Sequence, residues 1–246
     1  MPVFQLSDDF LFPDPVWAEP DGLLAVGGDL CEERLLLAYR MGIFPWYEPD
    51  SAILWWSPDP RCILEPAEIH ISRRLRRVLR RGLLRVTMNT AFEKVIHACA
   101  DVRLRQGEGT WLIPEMQRAY LRLHQLGFAH SVEVWDSDQL VGGLYGVVLK
   151  PFFFAESMFH LRTDASKVAL AVLTCCLVER GYYLLDCQLS NPHLLSMGAQ
   201  NVPRGQFLNR LDSNLGRLKD VDFSRLKDVF PTCLTQVGEA VSLSDG

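Results

Sequence analysis

From Ser131 to Gln188 the chain lays down strands in succession and then a strand–helix–strand unit, an order few folds accommodate. Ser131 to Trp135 alternates apolar and polar residues. Asp136-Ser137-Asp138 supplies a turn, and Leu140 to Leu149 and Phe152 to Phe154 read as two further strands. Asp164 opens a long apolar helix through Val168, Leu170, Val172, Leu173 and Leu177, which Gly181 closes. Tyr182 to Gln188 then forms a fourth strand. Such an order predicts a mixed sheet with helices packed on it, an α+β (mixed α/β) fold. With 246 residues, 48% of them apolar, the chain suits one large domain, alone or with a small partner.

Upstream, Asp29 and Glu32 have the spacing of a capping box ahead of a helix through Leu35, Leu36 and Tyr39 that Gly42 can close. Pro58 and Pro60 exclude helix there and mark a linker or domain edge. Ser72 caps a short helix ending at Gly82, with Leu75, Val78 and Leu79 on its apolar side. Gly107, Gly109 and Trp111 mark a loop, and Pro114 fits the first turn of a helix running to Gly127. Ser190 or Asn191 caps a last short helix that holds Pro192 in its first turn. The tail after Cys233 is small and polar and reads as loose.

Charge is unevenly laid out. The net charge is −5, yet Ile69 to Phe92 contains no acid and seven arginines: Arg73, Arg74, Arg76, Arg77, Arg80, Arg81 and Arg85. A charge run is usually a solvated face. Without interleaved acids, without lysine and with a narrow apolar stripe, this one also suits a phosphate backbone, because guanidinium forks match phosphate oxygens. Acids near the start are unlike a signal peptide, and the longest apolar stretches are too short to span a bilayer, so a soluble, cytoplasmic protein is expected. The seven cysteines contain no C-x-x-C pair, and the six histidines no H-E-x-x-H. Neither a zinc site nor a disulfide frame is expected.

Three polar constellations stand out. Glu156 is a single carboxylate in the aromatic run Phe152 to Phe159, either solvent-facing or set in an apolar cleft to orient an amine. Asp186 and Gln188 lie two apart at the end of an apolar strand, so they face one side of it. They serve either as a cap or as a pair facing substrate, with the acid orienting the amide so that its oxygen accepts from an attacking amine. Asp164-Ala165-Ser166-Lys167 opens a helix whose N–H groups and Lys167 either cap plainly or hold a phosphate. Trp46, Trp55, Trp56 and Trp111 are core residues or platforms for a nucleobase.

These residues bring a resemblance into view. "GLLAVGGDL", "GIFPWY", "ILWWSPDPR", "HISRRLRR", "EGTW", "HSVEVW", "LVGGLYGV", "AESMF", "ASK" and "LLDCQ" follow in order from Gly22 to about Arg210, and the chain resembles the leucyl/phenylalanyl-tRNA-protein transferases. The resemblance implies transfer of Leu or Phe from Leu-tRNA or Phe-tRNA to proteins with an N-terminal Arg or Lys, marking them for N-degron degradation. It implies a small N-terminal domain over 1–62 and an acyltransferase-like (GNAT-type) catalytic domain over 63–232, with the tail read above as loose taking 233–246. It places the catalytic pair at Asp186 and Gln188, and the amino-acid pocket at Leu144, Phe153, Leu170, Leu173 and Leu177 with Glu156 near the amine. The terminal adenosine is expected at Tyr39, Trp46 and Trp111, and the acceptor stem at Arg73, Arg77, Arg80 and Arg81. The ester donor is already activated, so no cofactor and no metal are expected, and no membrane partner; a monomer is expected.

An apolar pocket separates side chains differing by one methylene only about 10- to 200-fold, so some acceptance of Met is expected, and less of β-branched Val or Ile. Two other readings remain open. One is a coenzyme A-dependent N-acyltransferase, although Arg162 to Lys167 lacks the Gly-rich pyrophosphate loop such enzymes carry. The other is a non-catalytic RNA-binding module.

Overall fold

The computed structural model describes residues 3–105, 110–215 and 233–234. In chain order the elements are β1 (Phe4–Leu6), β2 (Leu23–Gly27), α1 (Glu32–Arg40), β3 (Phe44–Pro45), β4 (Leu54–Trp56), β5 (Arg61–Leu64), α2 (Arg73–Arg81), β6 (Arg85–Met88), α3 (Phe92–Arg105) and α4 (Pro114–Gln125). There follow β7 (Ala129–Asp136), β8 (Gln139–Leu149), β9 (Phe152–His160), α5 (Ala165–Glu179), β10 (Leu184–Gln188), α6 (Pro192–Ser196), β11 (Gln200–Val202), α7 (Arg204–Leu215) and β12 (Cys233–Leu234).

Two mixed sheets result. The smaller runs β1-β2-β4-β3 and the larger β11-β5-β10-β9-β8-β7-β6-β12. In the larger sheet β9 and β10 are parallel, joined by α5, and the other pairings are antiparallel. The strand–helix–strand unit read from the sequence is therefore present within a run of hairpin-connected strands. One face of the sheet is covered by the apolar sides of α5 and α2, through residues such as Val168, Leu170, Leu75 and Leu79. The opposite face packs against α3, α4, α1 and the smaller sheet, through Phe92, Met116, Leu35 and the fully buried Trp55. Close packing explains one glycine of the LVGGLYGV stretch: a Cβ on Gly142 would stand 2.6 Å from that of Ala165, so only glycine lets α5 start so near β8.

Several local expectations are met by the residues that motivated them. Ser72 Oγ accepts from Leu75 N at 3.2 Å and Gly82 ends α2 in the left-handed region (φ 59°). Asn191 Oδ1 accepts from Leu194 N at 2.8 Å, so Asn191 rather than Ser190 caps α6. Others are corrected. Asp29 makes no capping box: its carboxylate accepts from Cys31 N at 2.9 Å and faces Arg34, and the helix starts one residue beyond Cys31. Asp164 makes no side-chain cap either, because it pairs with Arg74 at 3.1 Å. The stretch around Pro58 and Pro60, read as a linker or domain edge, runs from β4 of the smaller sheet to β5 of the larger one.

Cys233 and Leu234, at the start of the tail expected to be loose, pair with Thr87 and Val86. The rest of that tail, the stretch 216–232 and the loop glycines Gly107 and Gly109 lie outside the described residues. Among the described residues no helix is long and apolar enough to cross a membrane.

Candidate active site

The pairing between β9 and β10 ends at Phe154 and Asp186. Beyond that point β9 continues to His160 without β10 beside it, and the strands part around a cleft of about 230 Å³. Leu144, Met158, Leu170, Leu185 and Leu194 give it an apolar wall, while Trp46 and Trp111 also border it. Glu156 and Gln188 line the cleft from the two parting strands.

Strand alternation predicts Asp186 and Gln188 on the same side, and here the backbone intervenes. The register with β5 shifts between these two residues, and Gln188 takes a positive φ of 61°. A bulge of this kind re-aims side chains. Asp186 turns inward and is fully buried, held by Arg61 through Nε at 2.8 Å and Nη2 at 2.6 Å. The Arg61 guanidinium is itself stacked between the rings of Phe44 and Phe207. Asp186 Oδ1 also accepts the backbone N–H of Gln188 at 2.9 Å, which fixes the left-handed turn. Asp186 therefore does not border the cleft, and the expectation that it faces substrate is corrected.

The carboxylate that orients the amide of Gln188 is Glu156. Gln188 Nε2 donates to Glu156 Oε1 at 2.8 Å, leaving the amide oxygen free to accept from a ligand. Tyr120 donates its hydroxyl proton to Glu156 Oε2 at 2.5 Å, and Tyr39 stands 2.7 Å from Tyr120 Oη. Because the one proton of Tyr120 is committed to Glu156, Tyr39 donates to Tyr120. Burial pushes the Glu156 carboxyl up to about 7, against the opposing pull of Tyr120, Tyr39 and Gln188. Burial, and then the neighbouring Glu156 charge, hold both tyrosines well above the ordinary phenol range, so they are proton donors at neutral pH.

The expected site residues divide accordingly. Leu144, Leu170, Glu156, Gln188, Trp46 and Trp111 meet at the cleft. Phe153, Leu173 and Leu177, expected as pocket wall, are buried in the core under α5 and do not line it. Leu170, Leu173 and Leu177 share one stripe of α5, but seven residues of helix carry Leu177 about 10 Å past Leu170. Phe153 lies over Gly146, filling the space a side chain on that glycine would need. Tyr39 is 1% exposed, which rules out stacking on a base and leaves it the hydrogen-bond role described. Sequence reasoning missed Tyr120, Arg61, Leu185, Met158 and Leu194 as site residues. Only Leu185 and Met158 carried a signal, as near neighbours of Asp186 and Glu156.

The basic helix folds as expected. Arg73, Arg76, Arg77, Arg80 and Arg81 line a groove of their own on the outside of α2, whose Leu75 and Leu79 are buried. Arg74 departs from that set through its ion pair with Asp164, which ties α2 to the start of α5. Among the described residues no group of His, Cys, Asp and Glu is placed to hold a metal ion.

Comparison with known proteins bears directly on this geometry. Residues 63–212 match the family described as Leucyl/phenylalanyl-tRNA protein transferase, and residues 28–59 match the family described as its N-terminal domain. Proteins named leucyl/phenylalanyl-tRNA–protein transferase are similar along most of their length. The one from Syntrophobacter fumaroxidans is 56% identical over 87% of this chain and 92% of its own. That from Desulfatibacillum aliphaticivorans is likewise 56% identical over 87% and 92%, and that from Anaeromyxobacter dehalogenans is 57% identical over 86% and 91%. A solved structure titled "The structure of L-PGS from Bacillus licheniformis" aligns with a TM-score of 0.39 and 14% identity, over 69% of this chain and 54% of that one. The family matches define the class of protein as an aminoacyltransferase. The chain is a member of the leucyl/phenylalanyl-tRNA protein transferase family.

Proposed function

We propose that this chain moves Leu or Phe, and Met to a lesser extent, from aminoacyl-tRNA onto the N-terminal Arg or Lys of acceptor proteins, marking them for N-degron degradation in the cytoplasm. The observation that carries the reading is that Gln188 lines the cleft beside an apolar pocket with its Nε2 held by Glu156, which leaves its oxygen to accept from a ligand. The acceptor's α-amine, with a pKa near 8, is partly neutral at cell pH and donates one N–H to that oxygen. Its lone pair attacks the ester carbonyl carbon, the new C–N bond forms, the C–O bond to the ribose breaks, and the amine proton leaves on the ribose oxygen. Most of the acceleration comes from holding amine and ester about 3–3.5 Å apart. Gln188 is the catalytic residue, Glu156 orients its amide, and Asp186 is a positioning residue that acts through the backbone of Gln188 and through Arg61.

Leu144, Leu170, Leu185 and Leu194 take the donor side chain, and Trp46 and Trp111 take the terminal adenosine. The parallel β9–β10 pair that parts at its end supports an acyltransferase (GNAT-type) reading of residues 63–232, with 1–62 as a small N-terminal domain, in a chain that works as a monomer. Incubation with radiolabelled Leu-tRNA and a peptide beginning with Arg is expected to label the peptide, and ribonuclease is expected to abolish the labelling. Labelling that requires acetyl-coenzyme A instead, or tRNA binding without labelling, would refute the reading.

Arg73, Arg77, Arg80 and Arg81 hold the acceptor stem. Replacing Arg77 and Arg80 by Glu is expected to weaken tRNA binding and to reduce the slope of log affinity against log salt by about 2, one for each lost phosphate contact. A salt titration of binding measures this, and an unchanged slope would remove α2 from the interface.

A further inference from the structure

Four consecutive residues of β9, from Ala155 to Met158, border the cleft. Ordinary alternation would turn Glu156 and Ser157 to opposite sides of the strand. The ladder with β8 prevents this: Gly146 stands opposite Ala155 and Tyr145 opposite Ser157, so Glu156 is the extra residue of a bulge and both side chains reach the cleft.

Ser157 is 8% exposed, and its Oγ is buried without a hydrogen-bond partner. A buried hydroxyl of this kind carries its desolvation cost with nothing in return, and it marks a place where a ligand atom completes the bond. Nearby, Tyr120 and Gln188 Nε2 both donate to Glu156, Ser190 Oγ accepts from Asn201 Nδ2 at 3.2 Å, and Asn191 Oδ1 accepts from Leu194 N at 2.8 Å. Ser157 thus offers a hydroxyl proton with no protein acceptor, on the strand facing the one that carries Gln188.

We propose that Ser157 Oγ donates a hydrogen bond to the carbonyl oxygen of the donor ester and stabilises the negative charge that oxygen gains when the amine adds. The assignment rests on the aminoacyl-transfer reading above. In that reading the amine is held from β10 by Gln188, the α-amine of the donor has the Glu156 carboxylate, and the ester oxygen is the substrate acceptor that remains. Charge develops there only in the transition state, so the bond strengthens as the reaction proceeds.

The test is Ser157→Ala, assayed for transfer from Leu-tRNA to an Arg-initiated peptide beside the wild type, with the thermal midpoint of each chain. The expected result is a fall in kcat of about 100-fold, the order seen for a lost oxyanion donor, with KM for Leu-tRNA unchanged and Tm no lower than wild type. The undiminished Tm is what a packing role would not give, since the variant sheds an unsatisfied hydroxyl. A fall in kcat smaller than about tenfold, a change confined to KM, or a loss of kcat that travels with a lowered Tm overturns the assignment. If the wild type itself transfers nothing, it is the parent reading that fails; equal transfer by both chains removes only the role of Ser157.

Discussion

Asp186→Asn is expected to unfold about 3–5 kcal/mol more readily than the wild type and to transfer about 100-fold more slowly, with tRNA binding unchanged. The stability figure follows from the burial of the pair. Asp186 is fully buried and Arg61 is 1% exposed. Neutralising one partner leaves the other charge in a dry site, where breaking a pair costs about that much. A residue that only capped the following turn would cost nearer 1 kcal/mol. The rate loss follows from the second contact of the same carboxylate. Oδ1 accepts from Gln188 N at 2.9 Å, and Gln188 keeps a positive φ with its amide aimed at the cleft. Loss of that anchor lets the amide drift, and a displacement of about 1 Å in a positioning group costs on the order of 100-fold. Urea unfolding and single-turnover transfer measure the two effects separately. Stability within 1 kcal/mol of wild type would contradict the buried-pair account.

Glu156→Gln is expected to abolish a pH dependence of folding. Burial raises the carboxyl from its ordinary 4.5 to about 7. Between those values the native state holds a proton that the unfolded chain has released. The group's contribution is therefore most favourable below pH 4.5 and is lost as pH rises to about 7, by on the order of 3 kcal/mol. That figure is a ceiling, because one side of the carboxylate opens on the cleft, where water screens it. The Gln variant carries no titrating proton, and its oxygen can still accept from Gln188 while its amide faces Tyr120. Its advantage over wild type should widen across that window and stay constant above it. Parallel stability curves across urea titrations at pH 4.5 to 7 would show that Glu156 is not held in the environment described here.

Local signals in the sequence carried the elements whose causes are themselves local. The hairpin of β7 and β8, the cap and left-handed end of α2, and Asn191 ahead of α6 each depend on residues within a few positions of one another. The arginine groove is of the same kind, since helix periodicity alone decides which side chains share a face. The larger misreadings at the site arise where distant segments meet. Arg61 reaches Asp186 across 125 positions, and Tyr39 reaches Tyr120 across 81. No spacing rule links either pair. The depth of a pocket was also illegible: periodicity puts Leu170, Leu173 and Leu177 on one stripe but does not say where along α5 the sheet stops. Alternation placed Asp186 beside Gln188, and the bulge that separates them left no signature in the residue types.

Because β5 sits between β11 and β10, both of its neighbours are made long after it. At about 5–20 residues per second, the ribosome takes roughly 6–25 s to add the 125 positions between Arg61 and Asp186. For that interval the nascent chain carries an apolar strand with both edges unsatisfied and a guanidinium lacking its counter-charge. Assembly of the larger sheet is in this sense held open on both sides of β5, the second strand in its order, until about the last quarter of translation. A chain interrupted before Leu184 would present that vacancy to whatever other extended segment lay nearby.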